Sequence, residues 1–433
     1  MSTNEQKMPP RARTRRAGEP PRAGSLTLTP LQRRILGAVV RARSLTRADI
    51  ARELRLSRSN LSPVILDLID DGLLVSVGQD TSRGGRRGDL LGVAGPEAGV
   101  VAGLEIDVNR IRVHVTGLGL DVATARHELV DTARDPLRTL ELAATLIAES
   151  LDPTYGPLVG VGLSLPAAID SERGVPTVAP AMPLWVDFPV ADRLAERLST
   201  RVFLDSDLNA LALAEMTVAH HPPLGSTYLV VKAHEGIGCG IVINNTVFRG
   251  SQGSAGEMGH ICVDPDDPTI CACGHRGCLE AVVSPANLAA RARELAQTEL
   301  SPIIGPLIAE GSLTMDAIGH AVLEGDPVAA SLMRELGMRI GFVLAGAISL
   351  FNPSSIVVST ARMLGSQVLM GAIRHGVYER AFAGATRRLQ IVESGLGDDA
   401  VAIGAATLAR DGFLGIAGRV ASSRGIAAAT AAD

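Results

Sequence analysis

Three cysteines and a histidine lie close together in the middle of the 433-residue chain, in the string GHICVDPDDPTICACGHRGCLE. These residues are His260, Cys271, Cys273 and Cys278. Thiolate and imidazole groups are ligands that Zn²⁺ prefers, and four of them complete a tetrahedral shell with no position left for a substrate. The spacing therefore predicts a structural Cys3His zinc site, Zn²⁺ being the expected cofactor. A cluster of buried thiols without a metal is the alternative.

The composition limits the class of protein that carries this cluster. Hydrophobic residues make up 46% of the chain and aromatic residues only 3%, which is typical of an α/β protein with an aliphatic core. Its length allows two or three domains. The longest nearly apolar stretch, Ile340 to Phe351, is shorter than the roughly 20 residues of a membrane span, and no signal peptide is evident. The number of cysteines, five, is odd, and four of them fall in one short window, which indicates metal binding rather than a disulfide framework. We expect a cytoplasmic protein without a membrane partner.

Charge is distributed unevenly along the chain. Residues 1–90 contain 17 Lys and Arg against 9 Asp and Glu, a net charge of +8, whereas the whole chain carries −5, so the remainder carries −13. A basic head on an acidic body indicates nucleic acid as the partner of the head. Residues 1–24, rich in Pro and Arg, predict a disordered basic arm that either contacts phosphate weakly or has no role.

Three helices and a hairpin are predicted after this arm. Apolar side chains recur at helical spacing from Leu31, Thr46 is placed to cap a second helix, and a third helix ends near Gly72. Apolar segments at 73–77 and 90–91 then flank a polar segment rich in Gly and Arg. This order predicts a winged helix-turn-helix over residues 25–92.

The third helix of such a domain presents its N-terminal side chains to base edges in the major groove. Arg suits guanine and Asn suits adenine, whereas arginines on the wing contact phosphate or the minor groove. The predicted DNA contacts are Arg58, Ser59, Asn60 and Ser62 on the helix, with Arg83, Arg86 and Arg87 on the wing. Pro63 disfavours a helix that begins before about Asn60. A winged-helix module that binds protein instead is the alternative.

The rest of the chain alternates strand-like and helical segments, which predicts α/β layers. The strand-like runs are 100–106, 159–165, 202–205, 227–231 and 356–358. Residues 96–415 are assigned to this second unit, with the zinc loop at 260–278. The Ala-rich residues 416–433 are predicted to form a flexible tail.

The zinc string, together with GSAGEMGH at 253–260, resembles the signature of the ROK family of repressors, open reading frames and sugar kinases. The resemblance covers about 31–414, and the layout is similar to the repressor branch, which includes xylose and N-acetylglucosamine regulators. It implies a two-lobed, actin-like sugar-kinase fold with a ligand cleft between the lobes. It also implies a homodimer or homotetramer, which would place two heads on a palindromic double-stranded operator.

The resemblance further implies a set of sugar-binding residues. The family's catalytic carboxylate corresponds to Asp207 in the string DSDLN, and its other sugar contacts correspond to Glu257, His260 and Glu280. His260 would then bind zinc through one ring nitrogen and the sugar through the other. Two family sugar-contacting asparagines are replaced by Ser206 and Ala181. The alternative for the two glutamates is that they only support the zinc loop.

The elements that hold ATP in kinases of the family are changed in this sequence. The phosphate loop, Asp-x-Gly-Gly-Thr-Lys in the kinases, corresponds to EIDVNR at 105–110. The second phosphate-contacting turn, 234–240, begins with His-Glu where the kinases tend to have Gly-Thr. On the adenosine side, Ser359-Thr360 replaces a Gly-Gly pair, although Asn352-Pro353 is retained. Phosphoryl transfer needs close backbone approach to the phosphates. We therefore expect a sugar-responsive transcriptional repressor with no catalytic residues. The alternatives are an active sugar kinase with a DNA-binding head, and a repressor regulated by a protein partner.

Overall fold

The computed structural model of the chain describes residues 28–79, 88–218, 224–234, 236–282, 284–296, 301–361, 363–416 and 421–423. The predicted arm over 1–24, the wing arginines Arg83, Arg86 and Arg87, and most of the predicted tail lie outside these residues. Among the described residues, no helix is both long and apolar enough to cross a membrane.

The N-terminal head consists of three helices and a small sheet with the strand order β1–β3–β2. Its elements are α1 (Pro30–Ala42), β1 (Leu45–Thr46), α2 (Arg47–Leu54), α3 (Arg58–Asp70), β2 (Leu74–Gln79) and β3 (Asp89–Val93). The hydroxyls of Thr29, Thr46 and Ser57 each accept a hydrogen bond from a backbone N–H in the first turn of the helix that follows. Such caps satisfy donors that the helix leaves unpaired. The predicted cap at Thr46 is thus confirmed.

Helix α3 begins at Arg58, and Pro63 lies inside it. The sequence favoured a start nearer Asn60, because a proline in a helix removes one backbone donor. The carbonyl that loses its partner belongs to Ser59, which is exposed, so water can replace the missing donor. The hydroxyl of Ser62 donates to the carbonyl of Arg58 at 2.9 Å and adds a bond in the same turn.

The first lobe of the body is built on a six-stranded sheet with the order β16–β10–β7–β4–β5–β6, in which β16 is the short strand Ala421–Ser422 near the C-terminus. Strands β4, β7 and β10 are parallel, and β5 and β6 continue the sheet as an antiparallel hairpin and edge. Its elements are β4 (Val100–Asp107), β5 (Arg110–Gly117), β6 (Val122–Leu129), α4 (Pro136–Glu149), β7 (Leu158–Leu165), β8 (Ala168–Asp170), β9 (Val175–Val178), α5 (Val190–Leu198), β10 (Val202–Ser206) and α6 (Asp207–Thr217).

The second lobe is built on a five-stranded sheet with the order β13–β12–β11–β14–β15. The long helix α11 packs against α12 and against this sheet, in one aliphatic core. Its elements are β11 (Tyr228–His234), β12 (Gly236–Ile243), β13 (Thr246–Val247), α7 (Leu279–Val282), α8 (Pro285–Leu295), α9 (Ile304–Glu310), α10 (Met315–Leu323), α11 (Pro327–Phe351), β14 (Ser355–Ser359), α12 (Ser366–Arg380), α13 (Ala383–Thr386) and β15 (Gln390–Glu393). All five predicted strand runs are strands in the structure.

Helix α14 (Ala400–Leu414) connects the parts of the molecule. It packs on β4 and β7 of the first lobe and against α6, which in turn packs on β11 and β12 of the second lobe. At its C-terminal end, Ala409 and Leu414 belong to the same hydrophobic cluster as Ile35 and Leu36 of the head. The head therefore shares a core with the body rather than hanging from a linker.

The C-terminal segment departs from the prediction of a flexible tail. Ala421 and Ser422 form strand β16, which pairs antiparallel with β10 at the edge of the six-stranded sheet. Ala421 is buried there, and the hydroxyl of Ser423 accepts a hydrogen bond from the N–H of Val202 at 3.2 Å. The edge of β10 thus offers 421–423 backbone hydrogen bonds that composition does not reveal.

Candidate effector cleft and metal cluster

A cleft of about 300 Å³ lies where the two lobes meet. The structure brings all four predicted sugar ligands to its wall: Asp207, Glu257, His260 and Glu280. Residues from the ends of β4, β11 and β12 complete the lining. This volume is at the lower end of the range found for small-molecule pockets in proteins.

The loop that carries Glu257 and His260 lies directly on strand β12. A Cβ atom at Gly256 would be 1.7 Å from the carbonyl oxygen of Cys239, and φ at Gly256 is +97°. A residue with a side chain cannot occupy this position without moving the loop away from the strand. The glycine in GSAGEMGH therefore sets the distance between the loop and the sheet, and with it the position of both ligand side chains.

The two glutamates of the cleft have different surroundings. Burial raises the pKa of Glu257 to about 6, the carboxylates of Asp207 and Glu280 add to this increase, and His260 opposes it. Glu257 Oε2 is 3.9 Å from His260 Nε2. Glu280, on α7, accepts a hydrogen bond from the N–H of Ile237 at 3.4 Å. Glu280 is thus held by the backbone of β12, whereas Glu257 faces the cleft beside His260.

Asp207 is held by a buried lysine that sequence reasoning did not identify. Lys232 Nζ donates to Asp207 Oδ2 at 2.8 Å and lies 3.9 Å from Asp107 Oδ2. Burial lowers the pKa of Lys232, but the two aspartates raise it more, so the pKa lies above its usual value. The ammonium group therefore stays charged. Lys232 belongs to β11 of the second lobe and Asp107 to β4 of the first, so this cation connects the two lobes.

Ser206 and Ala181 stand where the family pattern has sugar-contacting asparagines, and the structure shows the surroundings of each of them. Ser206 is the N-cap of α6, and its hydroxyl accepts a hydrogen bond from the N–H of Asn209 at 3.2 Å. Ala181 lies on the wall of the cleft, where its methyl group offers no hydrogen bond. This wall of the cleft is therefore less polar than the family pattern implies.

The four predicted metal ligands converge on one point beside the cleft. Their ligand atoms all lie within 4.8 Å of one another. The Cys273 and Cys278 sulfurs are 3.7 Å apart, and Cys271 Sγ is 3.5 Å from His260 Nδ1. Four ligands at about 2.3 Å from one tetrahedral ion would be about 3.8 Å apart, so the donors fit such a site. His260 Nδ1 faces this cluster, and His260 Nε2 faces Glu257 in the cleft. One ring nitrogen is thus placed for a metal, and the other lies on the side of the cleft.

On the other side of Asp207, charged residues pair with one another at the position of the kinase phosphate loop. Arg112 donates to Glu105 Oε2 at 2.9 Å and approaches Asp399 Oδ1 at 3.3 Å. Arg110 lies 3.3 Å from Asp107 Oδ2. The N–H of Val108 donates to Asp107 Oδ1 at 2.7 Å, so this backbone donor is already occupied. The charged side chains beside the turn between β4 and β5 are therefore engaged in ion pairs.

The glycines at the second predicted phosphate turn are explained by packing. A Cβ atom at Gly240 would lie 2.5 Å from the carbonyl oxygen of Leu208 on α6. Strand β12 and helix α6 could not approach as closely with a side chain between them. A glycine here is needed by the fold and does not by itself indicate a nucleotide site.

The predicted base-reading residues lie together at the N-terminal end of α3. Arg58, Ser59 and Asn60 are exposed and Ser62 is half-buried. The hydroxyls of Ser57 and Ser59 are 3.0 Å apart, and Ser57 also caps the helix. Arg58 and Asn60 are therefore the side chains of this set that are most available to a ligand.

Comparison with known sequences matches most of the chain to two family models. The model described as "ROK family" matches residues 101–412, and the model described as "MarR family" matches residues 26–87. This chain belongs to the ROK family. The resemblance of the metal-binding string to the ROK signature is thereby confirmed.

The ROK relatives of the chain include repressors. A putative xylose repressor from Caldicellulosiruptor sp. (strain Rt8B.4) is 28% identical over 377 residues, which cover 86% of this chain and 92% of that protein. An N-acetylglucosamine repressor from Escherichia coli O157:H7 is 28% identical over 374 residues, 86% and 89% of the two chains. The crystal structure of a ROK family transcriptional regulator, homologous to an E. coli MLC protein, matches with a TM-score of 0.73 at 24% identity, over 89% and 96% of the chains.

A kinase is also similar to the body of this ROK protein. The glucokinase of Thermotoga maritima (strain MSB8) is 30% identical over 290 residues, which cover 66% of this chain and 89% of the kinase. The predicted fold class, a winged helix joined to a two-lobed sugar-kinase-like domain, is confirmed. The match to the kinase covers a smaller share of this chain than the matches to the repressors, 66% against 86%.

Two residues of the cleft were missed by sequence reasoning. Asp107 was considered only as a change in the phosphate loop, and Lys232 was not considered. A signal for Lys232 existed, because it is the one charged residue in the otherwise apolar run TYLVVKA at 227–233. A charged side chain in a buried strand must pair with opposite charge, which indicates a nearby carboxylate.

Proposed function

We propose that this ROK protein is a transcriptional repressor that binds operator DNA through α3 and responds to a sugar or sugar derivative in the cleft between its lobes. The observation that carries this proposal is the combination of a MarR-type head with a sugar-kinase-like body in one shared core. The similar repressors are similar over head and body together, which supports control of carbohydrate genes.

The absence of kinase activity is part of the proposal. Asp207, at the position of the family's catalytic base, accepts a hydrogen bond from the Lys232 ammonium, and ion pairs occupy the phosphate loop. A carboxylate engaged in this way would have to leave its lysine before it could take a proton from a sugar hydroxyl. Incubation with ATP, Mg²⁺ and a sugar panel tests the alternative. Phosphorylated product that disappears in Asp207→Asn would show that the protein is a kinase.

The metal cluster is assigned to structural Zn²⁺, held by His260, Cys271, Cys273 and Cys278. Three thiolates and an imidazole are a donor set that suits zinc, and they leave no open coordination position. Bound there, the ion would fix the ring of His260 and with it the loop that carries Glu257. Metal analysis of protein purified without added zinc, with one equivalent expected per chain, checks this assignment.

Helix α14 offers a route from the cleft to DNA. Its N-terminal end follows Asp399, which pairs with Arg112 beside the cleft, and its C-terminal end packs beneath the head. A ligand that changes the closure of the lobes would move one rigid helix at both ends. Such coupling requires that the ligand bind the two closure states with different affinities.

A homodimer or homotetramer is proposed for the assembly, with two heads on a palindromic operator. Selection of binding sites from random double-stranded DNA, followed by anisotropy titrations, tests the DNA-binding function. We expect a palindromic consensus and a log-log salt slope of about −0.9 per phosphate contacted. Affinity that does not change with salt would contradict the assignment to DNA. Light scattering on the free protein gives the number of chains.

The contribution of α3 is tested by Asn60→Ala on the selected operator. Loss of a base contact is expected to weaken specific binding by about 1–3 kcal/mol and to relax the preference at one base pair. The matched control is Asp70→Asn, which changes an exposed residue at the far end of the same helix. Equal effects of the two substitutions would remove α3 as the reading helix.

A further inference from the structure

The charge of the cleft gives information on the ligand that the family assignment does not contain. Among the residues that the structure describes, its lining includes four carboxylates, Asp107, Asp207, Glu257 and Glu280, against one ammonium group, Lys232. The ammonium is already 2.8 Å from Asp207 Oδ2 and 3.9 Å from Asp107 Oδ2. Its charge is therefore directed at the cleft's own carboxylates rather than at the space that a ligand would fill.

The neighbouring groups do not reverse this balance. His260 lies between the cleft and the metal cluster, and three thiolates around a divalent ion carry a net charge of −1. Arg110 is within 3.3 Å of Asp107 and within 3.4 Å of Glu105, so a carboxylate of the phosphate loop accompanies it. Because like charges repel strongly where water is largely excluded, an anionic ligand is disfavoured in this cleft.

We propose that the cleft selects its effector by charge, taking sugars without phosphate or carboxylate groups, and that Lys232 is the specificity-determining residue that sets how negative the cleft is. This rests on the proposed sugar-sensing function. Hydroxyl groups are donors for carboxylates, so an uncharged sugar gains from the four acceptors, whereas a phosphate group brings only further acceptors. Lys232 holds Asp207 and Asp107 at one place across the lobe boundary and compensates part of their charge.

The first experiment compares sugars with their anionic derivatives on the zinc-loaded, full-length protein by isothermal titration. The probes are D-glucose, D-glucose 6-phosphate and D-glucuronate, and N-acetyl-D-glucosamine with its 6-phosphate. We expect at least one neutral sugar to bind and its anionic derivative to bind at least about tenfold more weakly. A phosphorylated sugar that binds as tightly as its parent would overturn the charge inference and leave sugar sensing intact. If none of the probes bound, both the charge inference and the proposed sugar-sensing function would be overturned.

The second experiment assigns the selection to Lys232. In Lys232→Met, the neutral sugar is expected to bind more weakly, and the ratio of neutral to phosphorylated affinity is expected to rise further, because one positive charge has been removed. Lys232→Arg should restore a ratio near that of the wild type. The matched control is Arg249→Met, which removes another partly buried cation, paired with Asp205 at 2.6 Å but outside the cleft wall.

The outcomes separate the possible roles of Lys232. A change in the ratio with Lys232→Met but not with Arg249→Met supports a role in specificity. Equal losses for neutral and phosphorylated sugars would show a structural role only and overturn the assignment. Phosphate binding that disappears in Lys232→Met would show that the lysine is a phosphate ligand, the opposite of the proposal.

Discussion

The two halves of the interlobe region use their polar residues in opposite ways. Beside the metal cluster, Glu257 and His260 lie on a loop fixed by the sheet and face the cleft. Beside the first lobe's hairpin, Glu105, Arg110 and Arg112 form ion pairs with one another. A kinase needs both halves to be open to ligands, whereas a sensor needs only one. Under the proposed function, the fold keeps the half that would bind an effector, while the charged residues of the other half pair with one another.

The largest effect that can test this contrast is loss of the metal cluster. In Cys278→Ser, a buried thiolate is removed from the four-ligand set, and zinc content should fall from one equivalent per chain to a small fraction. We expect effector affinity to fall at least about 100-fold, beyond the range typical for residues that only orient a ligand. Metal analysis and calorimetry measure the two quantities.

The control for this substitution is Cys262→Ser, because Cys262 is exposed and lies outside the four-ligand cluster. It should retain both zinc and effector. If zinc-free Cys278→Ser protein still bound its effector normally, the metal cluster would not position the sugar side of the cleft.

On the phosphate side, a smaller effect on effector binding is expected, and the main effect should be on stability. Arg112→Met leaves Glu105 buried without its main partner, and removal of one member of a buried ion pair costs about 3–5 kcal/mol of unfolding free energy. Effector affinity is expected to change less than stability, because, among the described residues, Arg112 is connected to the cleft carboxylate Asp107 only through Glu105 and Arg110. Denaturant unfolding and calorimetry measure these changes.

Two further variants serve as controls for Arg112→Met. The double variant Arg112→Met/Glu105→Leu should recover most of the lost stability, because no unpaired charge then remains buried. Arg41→Met removes one partner of an exposed pair, Arg41–Glu53, and should cost less than about 1 kcal/mol. If Arg112→Met reduced the favourable free energy of effector binding as much as it reduced the free energy of unfolding, the ion pairs of the phosphate side would contribute directly to effector binding.

Local sequence patterns predicted the parts of this molecule that local chemistry determines. The cap at Thr46 and the four-ligand spacing from His260 to Cys278 follow from short-range geometry, and both are present in the structure. The pairing of Ala421 with β10 and the contact of Lys232 with Asp107 join residues far apart in the chain. Such contacts depend on the tertiary fold, so periodicity and composition could not reveal them.

The resemblance to ROK proteins predicted four residues that line one cleft in the structure, but not how each one is held. Asp207 was expected to face a ligand, and the structure adds that Lys232 binds it. Ser206 was expected to be a lost sugar contact, and in the structure its hydroxyl caps α6. In both cases the missing information was the hydrogen-bond partner. A family pattern identifies a position, whereas the partner depends on side chains that differ between members.

The smallest expected effect distinguishes the two glutamates of the cleft. Glu257→Gln removes the charge of an acceptor that faces the ligand, so effector affinity should fall by about 1.5–3 kcal/mol, the range for a hydrogen bond to a charged group. Stability should not fall, and near neutral pH it should rise, because burial and the neighbouring carboxylates raise the pKa of Glu257 and so disfavour its charged form in the folded protein. Glu280→Gln weakens the bond from the Ile237 N–H as well, and should lower both affinity and the unfolding midpoint. Glu310→Gln, at an exposed position on α9, serves as the control. If Glu257→Gln instead lowered the midpoint and left affinity unchanged, both glutamates would be supports of the metal loop, and the sugar half of the cleft would be as structural as the phosphate half.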